Sequence, residues 1–114
     1  MSKFMHFMRG KQDYFAKLTE QEQKQVIASH IQYSKILTDE KLFLDGDGFG
    51  FESKVVEKLH GKVKVTASPY TGTPEQVSGY YLIEANNMEE AVEYAKQCPA
   101  LRYGETVEVI TIGH

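Results

Sequence analysis

The chain has no tryptophan, three prolines and one cysteine in 114 residues. A lone Cys98 excludes an internal disulfide and a thiolate metal cluster. Directly before Pro99 at an expected helix end, and with no evident basic neighbour to activate it, it reads as a small half-buried apolar residue rather than a nucleophile. No apolar run approaches the ~20 residues that a spanning helix needs, so no contact with a membrane is expected. Lysine and arginine form no block and the net charge is −3, which argues against a nucleic-acid footprint. The first residues, Met1 to Arg9, alternate and have no small-residue cleavage site. They read as a strand rather than a signal peptide, and a cytoplasmic location is the expectation. Also missing are a phosphate-cradling glycine loop, a serine-nucleophile elbow and an HExxH pair, which sets aside NTPase, α/β-hydrolase and zinc-protease chemistry. Nothing in the pattern asks for a cofactor.

What is present fits one domain spanning residues 1–114, with apolar residues at 41% and charged residues at 25%, near the averages for folded chains. From Phe4 to Arg9 both alternating sets are apolar: Phe4 and Met8 flank His6 on one face, and Met5 and Phe7 share the other. A strand of that kind wants cover on both sides. Thr19 and Glu22 form a capping box, which predicts a helix from Glu20 to about Leu37. Steps of 100° put Tyr33, Val26 and Leu37 on one flank and Ile27 and Ile31 on the other, with Gln23, His30 and Ser34 between them. The inward face is therefore expected to carry a polar seam, whose buried groups must find partners.

Residues Leu42 to Phe51 read as a hairpin turning on Asp45, Gly46, Asp47 and Gly48. Their Asp-x-Asp-Gly spacing opens like a calcium loop, but Phe49 fills the third acidic position and no helices flank it, so no metal is expected. Gly61 to Ala67 alternates as an edge strand should. The stretch that organises the chain follows: a break at Pro69, a polar loop with Gly72 and Pro74, and a strand from Tyr80 to Glu84. Asn87 and Glu90 start a second helix, which Pro99 ends, and Thr106 to Ile112 is a last strand with aliphatics on both faces. With the hairpin set aside as an insertion, the order is the ferredoxin-like β-α-β-β-α-β, an α+β fold with an antiparallel sheet and two helices on one face. Two helices cannot cover both faces, so a homodimer with sheets packed face to face, a dimeric α+β barrel, is expected.

The residues Pro69, Tyr70, Glu75, Gly79, Tyr80 and Tyr81 resemble the signature of the YCII-related family, in its branch named for an Asp-Gly-Pro-Phe motif. Met88-Glu89-Glu90-Ala91, Cys98-Pro99, Val107-Glu108-Val109 and Leu42-Phe43-Leu44 leading to Gly46 and Gly48 are similar to it too. Ala67, Ser68, Gly72 and Pro74 stand where that motif has Asp, Gly, Glu and Lys. His30-Ile31-Gln32-Tyr33 resembles the helical histidine context of the other branch, where the imidazole pairs with an Asp near the end of the first strand. Here Arg9 and Gly10 occupy that neighbourhood, with Asp13 an approximate stand-in. The resemblance implies the dimeric barrel, a fold like that of muconolactone isomerases and small monooxygenases, and a pocket between the sheet and the first helix.

Two functional expectations follow. One is proton-transfer chemistry of the isomerase or lyase type on a small organic molecule, with His30 as the catalytic group and His6, Tyr33, Ser34, Tyr80 and Tyr81 as ligand-binding residues. The other is a non-catalytic small-ligand or regulatory protein that has lost the family's acidic residues. Core histidines bonded to the sheet and tyrosines that simply pack are the plain alternatives for the same side chains.

Overall fold

The structure is a computed structural model that describes residues 1–11, 14–50, 52–67 and 75–113. Strand β1 (Ser2–Lys11) leads through a 3-10 turn (Phe15–Lys17) into helix α1 (Glu20–Asp39). There follow β2 (Phe43–Gly48), β3 (Lys54–Leu59), β4 (Lys62–Ala67), β5 (Glu75–Ala85), helix α2 (Met88–Ala95), a second 3-10 turn (Pro99–Tyr103) and β6 (Thr106–Thr111). The expected polar loop at Ser68, Pro69, Tyr70, Gly72 and Pro74 lies outside the described residues, as does Asp13.

The capping box forms as the sequence predicts: Thr19 Oγ1 accepts from the Glu22 N–H at 3.1 Å, and Glu22 Oε1 accepts from the Thr19 N–H at 2.9 Å. Both give first-turn donors a partner that the helix itself lacks. At the far end Lys41 takes a left-handed φ of 61°, and the Leu42 N–H returns to the Leu37 carbonyl at 2.8 Å. That closure stops α1 and aims the chain into β2. Asn87 caps α2 by accepting from the Glu90 N–H at 2.8 Å.

The main sheet is antiparallel with strand order β2-β5-β1-β6, so each helix bridges two strands separated by a third, in the ferredoxin-like manner. Phe4, His6 and Met8 of β1 and Tyr81, Ile83 and Ala85 of β5 are buried under the helices. Ala91 and Ala95 are buried on α2, small enough to let that helix lie close to the sheet. The opposite face, with Met5, Phe7, Tyr80, Leu82 and Ile110, carries no helix among the described residues.

The hairpin expected over 42–51 is not a hairpin. Phe43–Gly48 is a single strand that pairs with β5 as an edge of the main sheet, and the inserted hairpin is β3–β4, a separate two-stranded sheet. Gly61 to Ala67 therefore belongs to the insertion rather than to the four-stranded core. The exchange has a local cause. The turn between β3 and β4 is made by His60 at φ 50° and Gly61 at φ 78°, the two positive values that suit a tight hairpin. Histidine seldom supplies the first of these, so the pair is a faint signal, whereas Gly46 and Gly48 look like a turn and act as strand backbone.

Candidate functional site

Helix α1 does not meet the sheet evenly. In its C-terminal half Tyr33 and Leu37 are 2% and 0% exposed and press onto Ile83 and its neighbours. Earlier along the helix Ile27 and Ile31, expected on the inward face, are 51% and 66% exposed. Below them Gly10, Gly46 and Gly48 offer no side chains to fill the space. The result is a cleft of about 920 Å³ between α1, the end of β1, β2 and the start of β5, walled by His30, Ser34, Tyr81, Ser78, Tyr103 and Glu105 among others.

Tyr81 is held firmly. Its ring lies so close to β2 that a Cβ at Gly46 would come 2.8 Å from Cδ1. Tyr33 meets it edge-on at 5.1 Å between centroids and 82° between planes, and His30 stacks on it at 5.9 Å and 22°. The Tyr81 hydroxyl and His30 Nδ1 are 2.6 Å apart, and the same hydroxyl is 3.4 Å from the His30 carbonyl. In the tautomer that uses both contacts, Nδ1–H donates to the hydroxyl, the hydroxyl donates to the carbonyl, and Nε2 keeps a free lone pair. Burial, and secondarily the nearby Arg102 charge, pull the His30 pKa below its ordinary value, so the ring is neutral at neutral pH. Burial raises the Tyr81 phenol, which stays protonated as a donor.

Glu105 is the residue that sequence reasoning missed. It lies between the second 3-10 turn and β6, and its carboxylate folds over Gly10: a Cβ there would sit 2.7 Å from Oε2 and 2.8 Å from Cγ. Burial raises its pKa, partly offset by the Ser78 hydroxyl. Ser78 is the extra residue of a bulge in β5, opposite Met8 and Arg9. Its Oγ is buried and has no hydrogen bond of acceptable geometry among the described residues. The available sequence signal was a glycine ending an apolar strand, because a missing side chain on a sheet often marks a close approach by another group.

The other expected site residues lie elsewhere. Ser34 borders the cleft, but its hydroxyl is committed to the His30 carbonyl at 2.9 Å. The Tyr33 hydroxyl donates to the Tyr94 carbonyl at 2.6 Å, behind Tyr81 rather than in the cleft. Tyr80 points to the uncovered sheet face, where its hydroxyl donates to Asp45 Oδ2 at 2.8 Å and its ring stacks on Phe49. Asp45 and Asp47 accept from the N–H groups of Gly46 and Gly48. His6 is fully buried between β1 and α2, its Nε2–H donating to the Ala91 carbonyl at 2.9 Å while Nδ1 has no partner among the described residues. Arg9 is paired with Glu108 at 2.6 Å on the uncovered face, and the expected stand-in Asp13 lies outside the described residues. Cys98 is 2% exposed and its thiol is pushed up to about 11, chiefly by burial, which suits a packing role.

The two histidines make the fold sensitive to acid. Both have pKa values below the ordinary 6.5, His6 chiefly through burial, so the unfolded chain binds more protons once the pH drops beneath that value. Their contribution is complete above pH 6.5 and is lost as the pH falls toward the folded values. Urea midpoints measured at pH 7.5 and 5 should show a marked loss at the lower pH, and His6→Asn, which keeps a donor for Ala91, should shrink it. An unchanged pH dependence in that variant would assign the loss to other groups.

The family model for the YCII-related domain matches residues 3–112, nearly the whole chain. No curated protein matches it significantly. No described helix is long and apolar enough to cross a membrane.

Proposed function

Because the chain belongs to the YCII-related family and its cleft is lined both by a neutral imidazole and by a carboxyl whose pKa burial raises, we propose that it binds a small organic molecule and moves a proton on it. One observation carries this reading: burial pushes Glu105 up and His30 down within a single cleft. Opposed shifts of this kind bring the two pKa values toward each other, so a protonated carboxyl and a free imidazole coexist more readily in the cleft than in water. His30 Nε2 takes the proton, Tyr81 holds the ring in the competent tautomer, and Glu105 returns a proton to a neighbouring atom of the ligand. The exposed aliphatic Ile27 and Ile31 give the ligand's carbon skeleton a wall, and the buried Ser78 hydroxyl gives a polar substituent its partner. Isomerisation or elimination beside a carbonyl is the reaction type that this arrangement serves.

The test begins with thermal shifts across a panel of small carbonyl, carboxylic and phenolic compounds. Each binder is then incubated with the protein in deuterium oxide, and carbon-bound deuterium is read by NMR. Incorporation by the parent and not by Glu105→Gln supports the proposal; binding without incorporation leaves only a binding protein. That second reading rests on Ala67, at the end of β4, which provides no acid where the Asp-Gly-Pro-Phe branch that the chain resembles has one. A sharper variant is Gly10→Ala. Its methyl group meets the movable end of Glu105 rather than backbone, so stability should change by less than about 1 kcal/mol while deuterium incorporation falls at least tenfold. Full activity in that variant would remove Glu105 from the chemistry.

The proposal includes a homodimer. Met5, Phe7, Tyr80, Leu82 and Ile110 form an apolar face that neither helix covers, in a molecule only 18 Å thick along its shortest axis. A second copy placed sheet to sheet gives these side chains the cover that one protomer lacks.

A further inference from the structure

The β3–β4 hairpin packs little against the rest of the described chain. Its register places Val56, Val65, Val63 and Ala67 on one face with Lys54 and Lys58, and the three valines are 57–68% exposed. A two-stranded hairpin is marginal in water by itself, and valines on an open face make it a surface in want of a partner. Its charge is also out of keeping with the chain. Four lysines and one glutamate give residues 54–67 a formal charge of +3, and since the whole chain carries −3 the remainder carries −6. The radius of gyration, 15.8 Å, exceeds the roughly 13 Å expected for a compact chain of this length, as an arm held away from the body requires.

We propose that this hairpin is an arm that clasps a second copy of the chain, its valine face lying along the margin of the partner protomer's uncovered sheet. That margin supplies both kinds of complement. Leu44 and Phe49 are each 41% exposed beside Asp45 and Asp47, and Glu84 lies on the same open face. Six residues of strand reach about 20 Å, enough to pass the edge of one protomer and lie along the next. Apolar contact then holds the arm, while Lys54 and Lys58 meeting carboxylates fix its placement and speed the encounter. The clasp rests on the homodimer proposed above.

The experiment compares sedimentation at micromolar concentration for the parent, for Val56→Glu with Val63→Glu, and for Ile110→Glu on the sheet face. A photo-crosslinker at position 65, in a mixture of light and heavy isotope-labelled chains, reports which surface the arm touches. The hairpin variants alter only exposed positions and should keep the parent's circular dichroism. The clasp predicts that they weaken the dimer at least tenfold, that salt weakens the parent dimer, and that light-to-heavy crosslinks map to the uncovered sheet or its β2 edge. A parent dimer matched by the hairpin variants and lost only in Ile110→Glu overturns the clasp and leaves the sheet-to-sheet dimer standing. Crosslinks confined to a single chain overturn it as well, and a monomeric parent overturns both.

Discussion

Replacing His30 with alanine should abolish most of the proton transfer in the cleft while leaving the chain folded. Removal of a positioned general base lowers a rate by roughly 10²–10⁴-fold, and His30 is only half-buried, so its loss opens the cleft more than it empties the core. The measurement is deuterium incorporation into a bound compound, with circular dichroism as the check on folding. Tyr81→Phe refines the prediction. It keeps the ring that packs on Gly46 and Tyr33 but removes the hydroxyl 2.6 Å from Nδ1, so His30 remains and its tautomer is no longer fixed. A loss between those of the parent and His30→Ala, with a shifted pH profile, is the expected result. If His30→Ala retains incorporation within threefold of the parent, His30 is a packing residue and another group takes the proton.

Gly79→Val should be among the most damaging single substitutions to the fold. Gly79 is buried in β5, and a Cβ there would come 2.8 Å from the Asp47 carbonyl oxygen, 3.0 Å from Met8 Cε and 3.2 Å from Gly48 Cα. Two of those three atoms are backbone, so β2 must move away from β5 to make room. Overpacking of this kind is destabilising by about 3 kcal/mol, which in a chain of this length lowers the melting temperature by more than about 10 °C. Gly50→Ala is the control, since nothing lies within 4 Å of a Cβ at that position. Equal melting temperatures for the two variants would show that β2 is free to shift, and would weaken the view that its glycines set the shape of the cleft.

Both predictions depend on features with unequal visibility in the sequence. The helices were legible because their signals are local: Thr19 with Glu22 and Asn87 with Glu90 act within one turn, and both caps form. The antiparallel sheet under two helices was legible from the order of strands and helices along the chain. Which segment joined that sheet was not. Phe43–Gly48 and Lys62–Ala67 are both six-residue stretches that follow α1, and only pairing with β5 decides between them. The glycine-rich one pairs because Gly46 and Gly48 let β2 approach Tyr81 and Gly79 closely. The valine-rich one turns back on itself.

The cleft divides in the same way. His30 and Tyr81 could be named from residue type and helical or strand position, although nothing local shows that they lie 2.6 Å apart across 51 residues of chain. Tyr33 and His6, equally plausible by type, turn their polar atoms to Tyr94 and Ala91 instead. Glu105 had no local mark at all, because its place depends on an absence at Gly10 on another strand. The sequence alone determined the helices, their caps, the surplus of apolar sheet surface and the family. The tertiary structure decided which strands share a sheet, which side chains share a cleft and which carboxyl enters it, because helix caps and side-chain periodicity act over a few residues while strand pairing and burial join residues far apart in the chain.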